Sequence, residues 1–291
     1  MNNINQLKYF VEVCKHENFT KAAESLHVSQ PTVTSAIKAF ERELGFQLFD
    51  RTKAHVVLTE NGVRMLKLTK QFLEGFDNFT KEAHDIVSPG RIVLNIGVPS
   101  ILCTIILKKI LPDFENRYPC IKLHIIEVPT LTGLDMLDGG QIDLLIGNIN
   151  DNDMPKSCDN LKIVEMRQCL FINSENPLAK GKSISVKQLE NQSFVFVPKG
   201  SSMYRQMKSV FEKIPIDIVL YSSQLPSIRY MIENDLAMAI LYYQAFEPCS
   251  KITRLELDEG LFSTIQVFWK KSTYLSEAMR NFIRFARDMQ L

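Results

Sequence analysis

Along residues 1–88, apolar positions recur at helical spacing. Between residues 4 and 16, Leu7, Phe10, Val11 and Cys14 fall at i, i+3, i+4 and i+7, one stripe of an amphipathic helix. Asn18 or Thr20 can cap a short second helix through Ala22, Ala23 and Leu26. His27-Val28-Ser29 then makes a tight connection. Ser29 is suited to cap a third helix whose first turn holds Pro31, where a missing N–H costs nothing. In that helix Val33, Ile37, Phe40 and Leu44 face a core, and Gly45 ends it. Steps of about 100° put Pro31, Thr32, Ser35, Lys38 and Arg42 on the opposite face. Two helices joined by a short turn, the second with a small, polar and basic face, have the outline of a helix-turn-helix.

Residues 46–51 and 56–58 read as two short extended segments around a polar tip, a β-wing carrying Arg51 and Lys53. Thr59-Glu60-Asn61-Gly62 restarts a helix that runs to about residue 87. Along it Met65, Leu68, Phe72, Phe76, Phe79, Ala83 and Ile86 step by threes and fours. A helix that long must bury such a seam. A second copy of the chain is the simplest partner, and packing within the chain is the alternative.

Beyond Ser88-Pro89-Gly90 the pattern changes to alternating strands and helices. Strands are expected at 92–98, 122–128 and 142–147, with helices at 101–118 and 130–137 between them. The order recurs, with strands at 194–197, 216–221 and 236–241 separated by helices at 202–212 and 225–233. A strand at 264–269 and an amphipathic helix at 276–289 follow. Such βαβ order predicts a mostly parallel sheet, and two such units predict two lobes with a cleft between them.

Composition narrows the chemistry. The apolar share is 45% and the charged share 23%, ordinary for a soluble globular protein. The 34 Lys plus Arg against 33 Asp plus Glu give a net charge of +1, which by itself argues against nucleic acid. That balance hides an asymmetry. Residues 1–70 hold 10 basic and 7 acidic side chains, and the remainder 24 and 26. The excess on one head is small, which fits a protein that needs two or four copies to hold a polyanion. The N-terminus lacks the pattern of a secretory signal, and no apolar run reaches the roughly 18 residues of a membrane span. A cytoplasmic protein with no membrane partner is expected.

The six cysteines are irregularly spaced without a CxxC pair, and most sit among apolar neighbours, so inert buried thiols are expected. None of the five histidines pairs with another at i, i+4, so no metal is expected. There is no GxGxxG and no Walker loop, and Gly97-Val98-Pro99-Ser100 is not a nucleophile elbow. The expectation is a protein with no cofactor that is not an enzyme.

The residues also resemble a known family. Ala22-Ala23-x-x-Leu26-x-Val28-Ser29-Gln30-Pro31, then Glu41-x-Glu43-Leu44-Gly45, Leu48-Phe49-x-Arg51 and Leu58-Thr59 are very similar to the signature of LysR-type transcriptional regulators. Asn95-Ile96-Gly97, LPDFENRYP at 111–119 and GGQIDLLIG at 139–147 agree in order. The resemblance covers nearly the whole chain, and it is strong over the first 65 residues and looser afterward. It implies an α/β multidomain fold: an all-α winged helix-turn-helix at 1–58, a linker and dimerisation helix with a hinge at 59–89, and a two-lobed α/β effector domain like a periplasmic binding protein at 90–291. Lobe I would hold 91–161 and 266–291, and lobe II 162–265. It further implies promoter DNA as partner, a small-molecule effector in the cleft, homodimers that pair into homotetramers, and RNA polymerase as a further contact.

DNA contact is then expected from Gln30, Pro31, Thr32, Thr34 and Ser35 near the start of the recognition helix. Gln pairs bidentately with adenine, and Pro and the Thr methyl touch thymine methyls. Lys38 and Arg42 would follow the phosphates, and Arg51 and Lys53 would reach them from the wing. The family often has Arg where Ser35 stands, so operator preference does not carry over from relatives.

In open α/β sheets ligands bind beyond the carboxyl ends of strands, at helix N-termini whose free N–H groups favour anions. Ser100 and Ile101 follow the first strand, Thr130 the second, and Lys199, Gly200, Ser201 and Ser202 the strand at 194–197. Family inducer sites occupy the same places, and an anionic metabolite is the expected ligand. The alternative is that Ser100, Thr130 and Ser202 only cap helices. Asp235 and Ala237 stand where the family usually has glycines, and Tyr242 where Pro is common, with Asn234 expected to take the left-handed turn. A rival reading, a solute-binding or hydrolytic α/β protein with an incidental helical front end, would need a secretory signal or a base for Ser100. The nearest downstream histidine, His124, lies on a different strand.

Overall fold

The computed structural model describes residues 4–50, 56–87, 92–149, 153–212 and 214–288, with the side chains of residues 81, 82, 84–87 and 109 outside that set. The chain divides into two compact units, Met1–Val87 and Ser88–Leu291. Among the described residues no helix is long and apolar enough to cross a membrane.

The first unit holds α1 (Ile4–His16), α2 (Phe19–Ser25), α3 (Gln30–Leu44) and α4 (Glu60–Val87). Asn18 caps α2, its carboxamide oxygen accepting from the N–H groups of Thr20 and Lys21. Ser29 caps α3 through the Thr32 N–H, and Gly45 ends it in a left-handed conformation at φ 77°. Phe10, Val33, Ile37 and Phe40 are buried together, and Phe10 meets Phe40 and Phe49 edge-on with ring centroids 6.0 and 5.7 Å apart. The wing begins with a Phe49–Leu58 antiparallel bridge and an Asp50 N–H to Val57 carbonyl bond of 2.8 Å. Its base is held by buried Glu41, whose carboxylate accepts from the Leu48 N–H at 2.9 Å and the Phe49 N–H at 3.4 Å.

The apolar residues of α4 divide between two faces. Met65 is buried in the core of the helix-turn-helix, with Leu66 and Leu73 packed against it. Leu68, Phe72, Phe76 and Phe79 are exposed, Phe79 at 69%. Met65 therefore belongs to the unit's own core and not to the outward seam. Ala83 is half-buried, and the side chain of Ile86 lies outside the described residues.

In the second unit a mixed sheet runs β2-β1-β3-β9-β4-β8, with β5 added against β9. The strands are β1 (Ile92–Val98), β2 (Ile121–Glu127), β3 (Leu144–Asn148), β4 (Cys158–Asn173), β5 (Ser183–Ile184), β8 (Ala239–Tyr242) and β9 (Ile252–Lys270). A separate parallel pair joins β6 (Ser193–Phe196) and β7 (Asp217–Tyr221), with a bridge from Phe194 to Met238. The connecting helices are α5 (Ser100–Arg117), α6 (Thr130–Asp138), α7 (Ser202–Val210), α8 (Leu225–Glu233) and α9 (Glu277–Arg287).

The expectation of a mostly parallel sheet fails at its centre. β1 is parallel to β2 and β3, but β9 is antiparallel to both β3 and β4. β4 and β9 pair along nearly their whole length, from Cys158–Lys270 to Asn173–Ile252. They pass through both lobes, with register slips between Lys162 and Val164 and between Gln168 and Cys169. Lys162, Glu165 and Arg167 are exposed among apolar neighbours in β4, which obscures the two-residue alternation of a strand. Asp235, not Asn234, takes the left-handed turn, at φ 53°, and Asn176 donates to its carboxylate at 2.9 Å.

At Gly62, in the first turn of α4, a Cβ would lie 2.1 Å from the Leu48 carbonyl oxygen. The Gly62 N–H donates to Thr59 Oγ1, which in turn donates to the Gln47 carbonyl, so helix and wing base are locked here. Gly62→Ala should destabilise the chain by about 1–3 kcal/mol through overpacking. Urea unfolding measures this, and an unchanged midpoint would mean that the junction yields freely.

Candidate functional site

The face of α3 away from the core is built as its sequence suggests. Val33, Ile37 and Phe40 anchor one side, so Gln30, Pro31, Thr32, Ser35, Lys38 and Arg42 are exposed on the other. Thr34 is half-buried, and its hydroxyl accepts from the Gln30 side-chain amide at 3.0 Å, which holds Gln30 along the helix. The Ser29 and Thr32 hydroxyls lie 2.7 Å apart, and Arg42 Nε donates to the Lys38 carbonyl at 3.3 Å. The face thus offers neutral donors and acceptors at its start and two cations further along. Arg51 and Lys53 lie outside the described residues.

In the second unit, residues at the carboxyl ends of several strands converge on one cavity of about 60 Å3. Ser100 and Ile101 at the start of α5, Thr130 at the start of α6, and Ser201 and Ser202 at the start of α7 all line it. Lys199 and Gly200 do not. Both are exposed, and the Lys199 ammonium lies over the Tyr221 ring, 5.8 Å from its centroid. The cavity also takes Asn148 from the end of β3, Ser223 from beyond β7 and Tyr242 from the end of β8. These three follow the same strand-end rule that singled out Ser100 and Thr130, so the rule applied to every strand finds them.

The Ser100, Thr130 and Ser202 hydroxyls are not helix caps. α5 and α6 start after Pro99 and Pro129, which supply no side-chain cap, so the first N–H groups of both helices have no side-chain acceptor. α7 is capped by Ser201, and this frees Ser202 to donate across the cleft to Asn148 Oδ1 at 2.6 Å. Thr130 is 1% exposed and its Oγ1 has no hydrogen-bond partner. A Cβ at Gly147 would lie 3.0 Å from that oxygen, so glycine is what lets α6 approach β3 this closely. Tyr242 is buried, and burial raises its hydroxyl pKa. Among the described residues no charged side chain lines the cavity. Arg205 is engaged elsewhere, 3.6 Å from the Asp153 carboxylate.

No cysteine among the described residues lines this cavity. Burial pushes Cys14 and Cys169 up to about 12 and Cys103 up to about 11, so these three remain thiols at neutral pH. Among the described residues no cluster of His, Cys, Asp and Glu could hold a metal ion.

A buried hydroxyl without a partner is a standing cost. Thr130→Val, which keeps the shape and removes the polar atom, should leave the ligand-free chain equally stable or more stable by about 1 kcal/mol. Urea unfolding without ligand checks this, and a clear loss of stability would show that the hydroxyl is satisfied internally.

Comparison with known proteins agrees with this arrangement. Residues 4–63 match the model of the bacterial regulatory helix-turn-helix protein, lysR family, and residues 90–290 match the LysR substrate binding domain. The chain is 24% identical over 284 residues to the uncharacterised HTH-type transcriptional regulator YybE of Bacillus subtilis, covering 96% of each. Its fold is similar to full-length OxyR of Pseudomonas aeruginosa, at 23% identity and a TM-score of 0.70 over 100% of this chain and 96% of that one. It is also similar to full-length CbnR complexed with target DNA, at 19% identity and a TM-score of 0.60 over 98% and 99% of the two chains. With a reading head and a two-lobed sensor both matched, the chain belongs to the LysR family and is a DNA-binding transcriptional regulator with an effector-binding domain.

Proposed function

We propose that this regulator is cytoplasmic and not an enzyme, reads promoter DNA through the exposed face of α3, and responds to one small monoanion held between its lobes. The observation that carries the effector reading is the pair of helices, α5 and α6, that open on proline without side-chain caps. Both abut the same cavity as the unpartnered Thr130 hydroxyl. Uncapped N–H groups at helix starts favour negative charge. No cation lies on the wall among the described residues, so these N–H groups and the hydroxyls would meet the charge. Among the described residues no carboxylate on the wall pairs an ammonium, which favours a plain anion over a zwitterionic amino acid. At about 60 Å3 the space admits roughly four waters by volume, which restricts the buried part of the ligand to a few heavy atoms.

Gln30 with the Pro31 and Thr32 surface would read base edges, while Lys38, Arg42, Arg51 and Lys53 hold phosphates. CbnR, whose fold this chain shares, was solved with target DNA, which supports the assignment of the head. Leu68, Phe72, Phe76 and Phe79 form an outward seam that a second copy would cover. Chain pairs, and pairs of pairs, then compensate for the modest charge of each head.

A gel-shift titration against DNA upstream of the chain's own gene tests the head. Gln30→Ala should relax base preference by about 1–3 kcal/mol at one position, and Lys38→Ala should weaken all sequences and reduce the salt slope by about one. Equal affinities and slopes in both variants would sink the assignment. Phe76→Glu should give a monomer by analytical ultracentrifugation and lose tight DNA binding, whereas a wild-type oligomer would place the interface elsewhere. For the sensor, small carboxylates and oxyanions are screened by thermal shift. A ligand at 100 times its Kd should add about 2.7 kcal/mol, and Thr130→Val should abolish the shift. A Thr130→Val response equal to wild type would remove Thr130 from the site.

A further inference from the structure

At the start of α3, Gln30, Thr32 and Ser35 are exposed, whereas Thr34 is half-buried. Thr34 follows Val33 and stands three residues before Ile37, both buried in the core of the head. Its short β-branched side chain has few χ1 positions open to it in a helix, so its hydroxyl is a nearly fixed point on the shoulder of α3. Residues four apart share a helix face, and Gln30 Nε2 donates to Thr34 Oγ1 at 3.0 Å. A long exposed glutamine loses much rotamer freedom when it is fixed against a base. A tether present before binding has already met part of that loss.

The tether also decides what the amide offers. A carboxamide carries one acceptor oxygen and two N–H donors. With one N–H given to Thr34, the other N–H and the oxygen remain for DNA. In the major groove adenine presents one acceptor, N7, and one donor, the N6 amino group, whereas guanine presents two acceptors, N7 and O6. The tethered amide therefore matches adenine group for group. Against guanine its oxygen meets O6, acceptor against acceptor, and the second N–H that would relieve this is held by Thr34. The helix has no cation before Lys38, so no Arg or Lys at its start competes to read guanine.

We propose that Thr34 is a specificity-determining residue that acts through Gln30: by holding one amide N–H it sets Gln30 for adenine and against guanine. This role rests on the reading of Gln30 as the residue that meets a base edge. Thr34 is a positioning residue in it and touches no base.

Gel-shift competition with the full-length chain tests this on the upstream DNA, each base pair of the bound segment being replaced in turn. Thr34→Val keeps the shape and removes the hydroxyl, and Thr34→Ser keeps the hydroxyl. Gln30→Ala and the Gln30→Ala, Thr34→Val double variant complete a cycle. One position is expected where wild type prefers adenine and Gln30→Ala has no preference. There Thr34→Val should lower the adenine-over-guanine ratio about fivefold, as the loss of one hydrogen bond does. Thr34→Ser should keep the ratio, and Thr34→Val should add nothing to Gln30→Ala. A ratio of affinities cancels any general loss of folded protein, so a less stable head does not imitate the effect. A wild-type ratio in Thr34→Val overturns the proposal and leaves Gln30 as the base reader. Additive losses in the double variant put Thr34 itself on the DNA and also overturn it, as does a Gln30-dependent preference for another base. Base preferences unchanged by Gln30→Ala overturn both the proposal and the base-reading role beneath it.

Discussion

The architecture of the sensor depends on one interaction, the antiparallel ladder between β4 and β9. Those two strands run through both lobes, and every other strand of the main sheet attaches on one side or the other of them. The ladder changes register twice, after Lys162 and after Gln168. Bulges increase local twist. The helix starts beyond β1, β2 and β6 line a common cavity. Without the ladder, Ser100, Thr130 and Ser202 would be three unrelated helix ends.

A second constraint acts through what is left unsatisfied. Folding usually pairs buried polar groups, and proteins retain an exception at a cost. This chain keeps Thr130 Oγ1 without a partner and opens two neighbouring helices on proline where Ser or Asp would cap them. Those choices lower stability locally and concentrate unused donors on one cavity. The head is organised in the opposite way. There Asn18, Ser29 and Gly45 close ends of α2 and α3, and Glu41 satisfies the amides at the wing base. A capped head and a donor-rich sensor suit the two tasks of an effector-controlled regulator.

Much of this was legible in the chain because the relevant signals are local. The α3 stripe of Val33, Ile37 and Phe40, the Ser29 cap and the Gly45 stop depend on neighbours within a turn or two. The strand-end rule located Ser100, Ile101, Thr130, Ser201 and Ser202. It failed for Lys199, where proximity in sequence to Ser201 gave no access to the cavity and Tyr221 offered a better surface. Met65 shares the period of the exposed seam, and only tertiary packing assigns it to the core. β4 was hidden because its exposed face is charged on one side of the crossing and its inner face is apolar on the other.

The central claim is that the bare N-termini of α5 and α6 hold the effector's charge. Amide hydrogen exchange on the full-length chain, with and without a small anion that raises its melting temperature, tests that claim most directly. Slowed exchange concentrated at residues 100–102 and 130–132 is the predicted result. A stabilising anion that leaves those amides unprotected, while slowing exchange elsewhere, would contradict it.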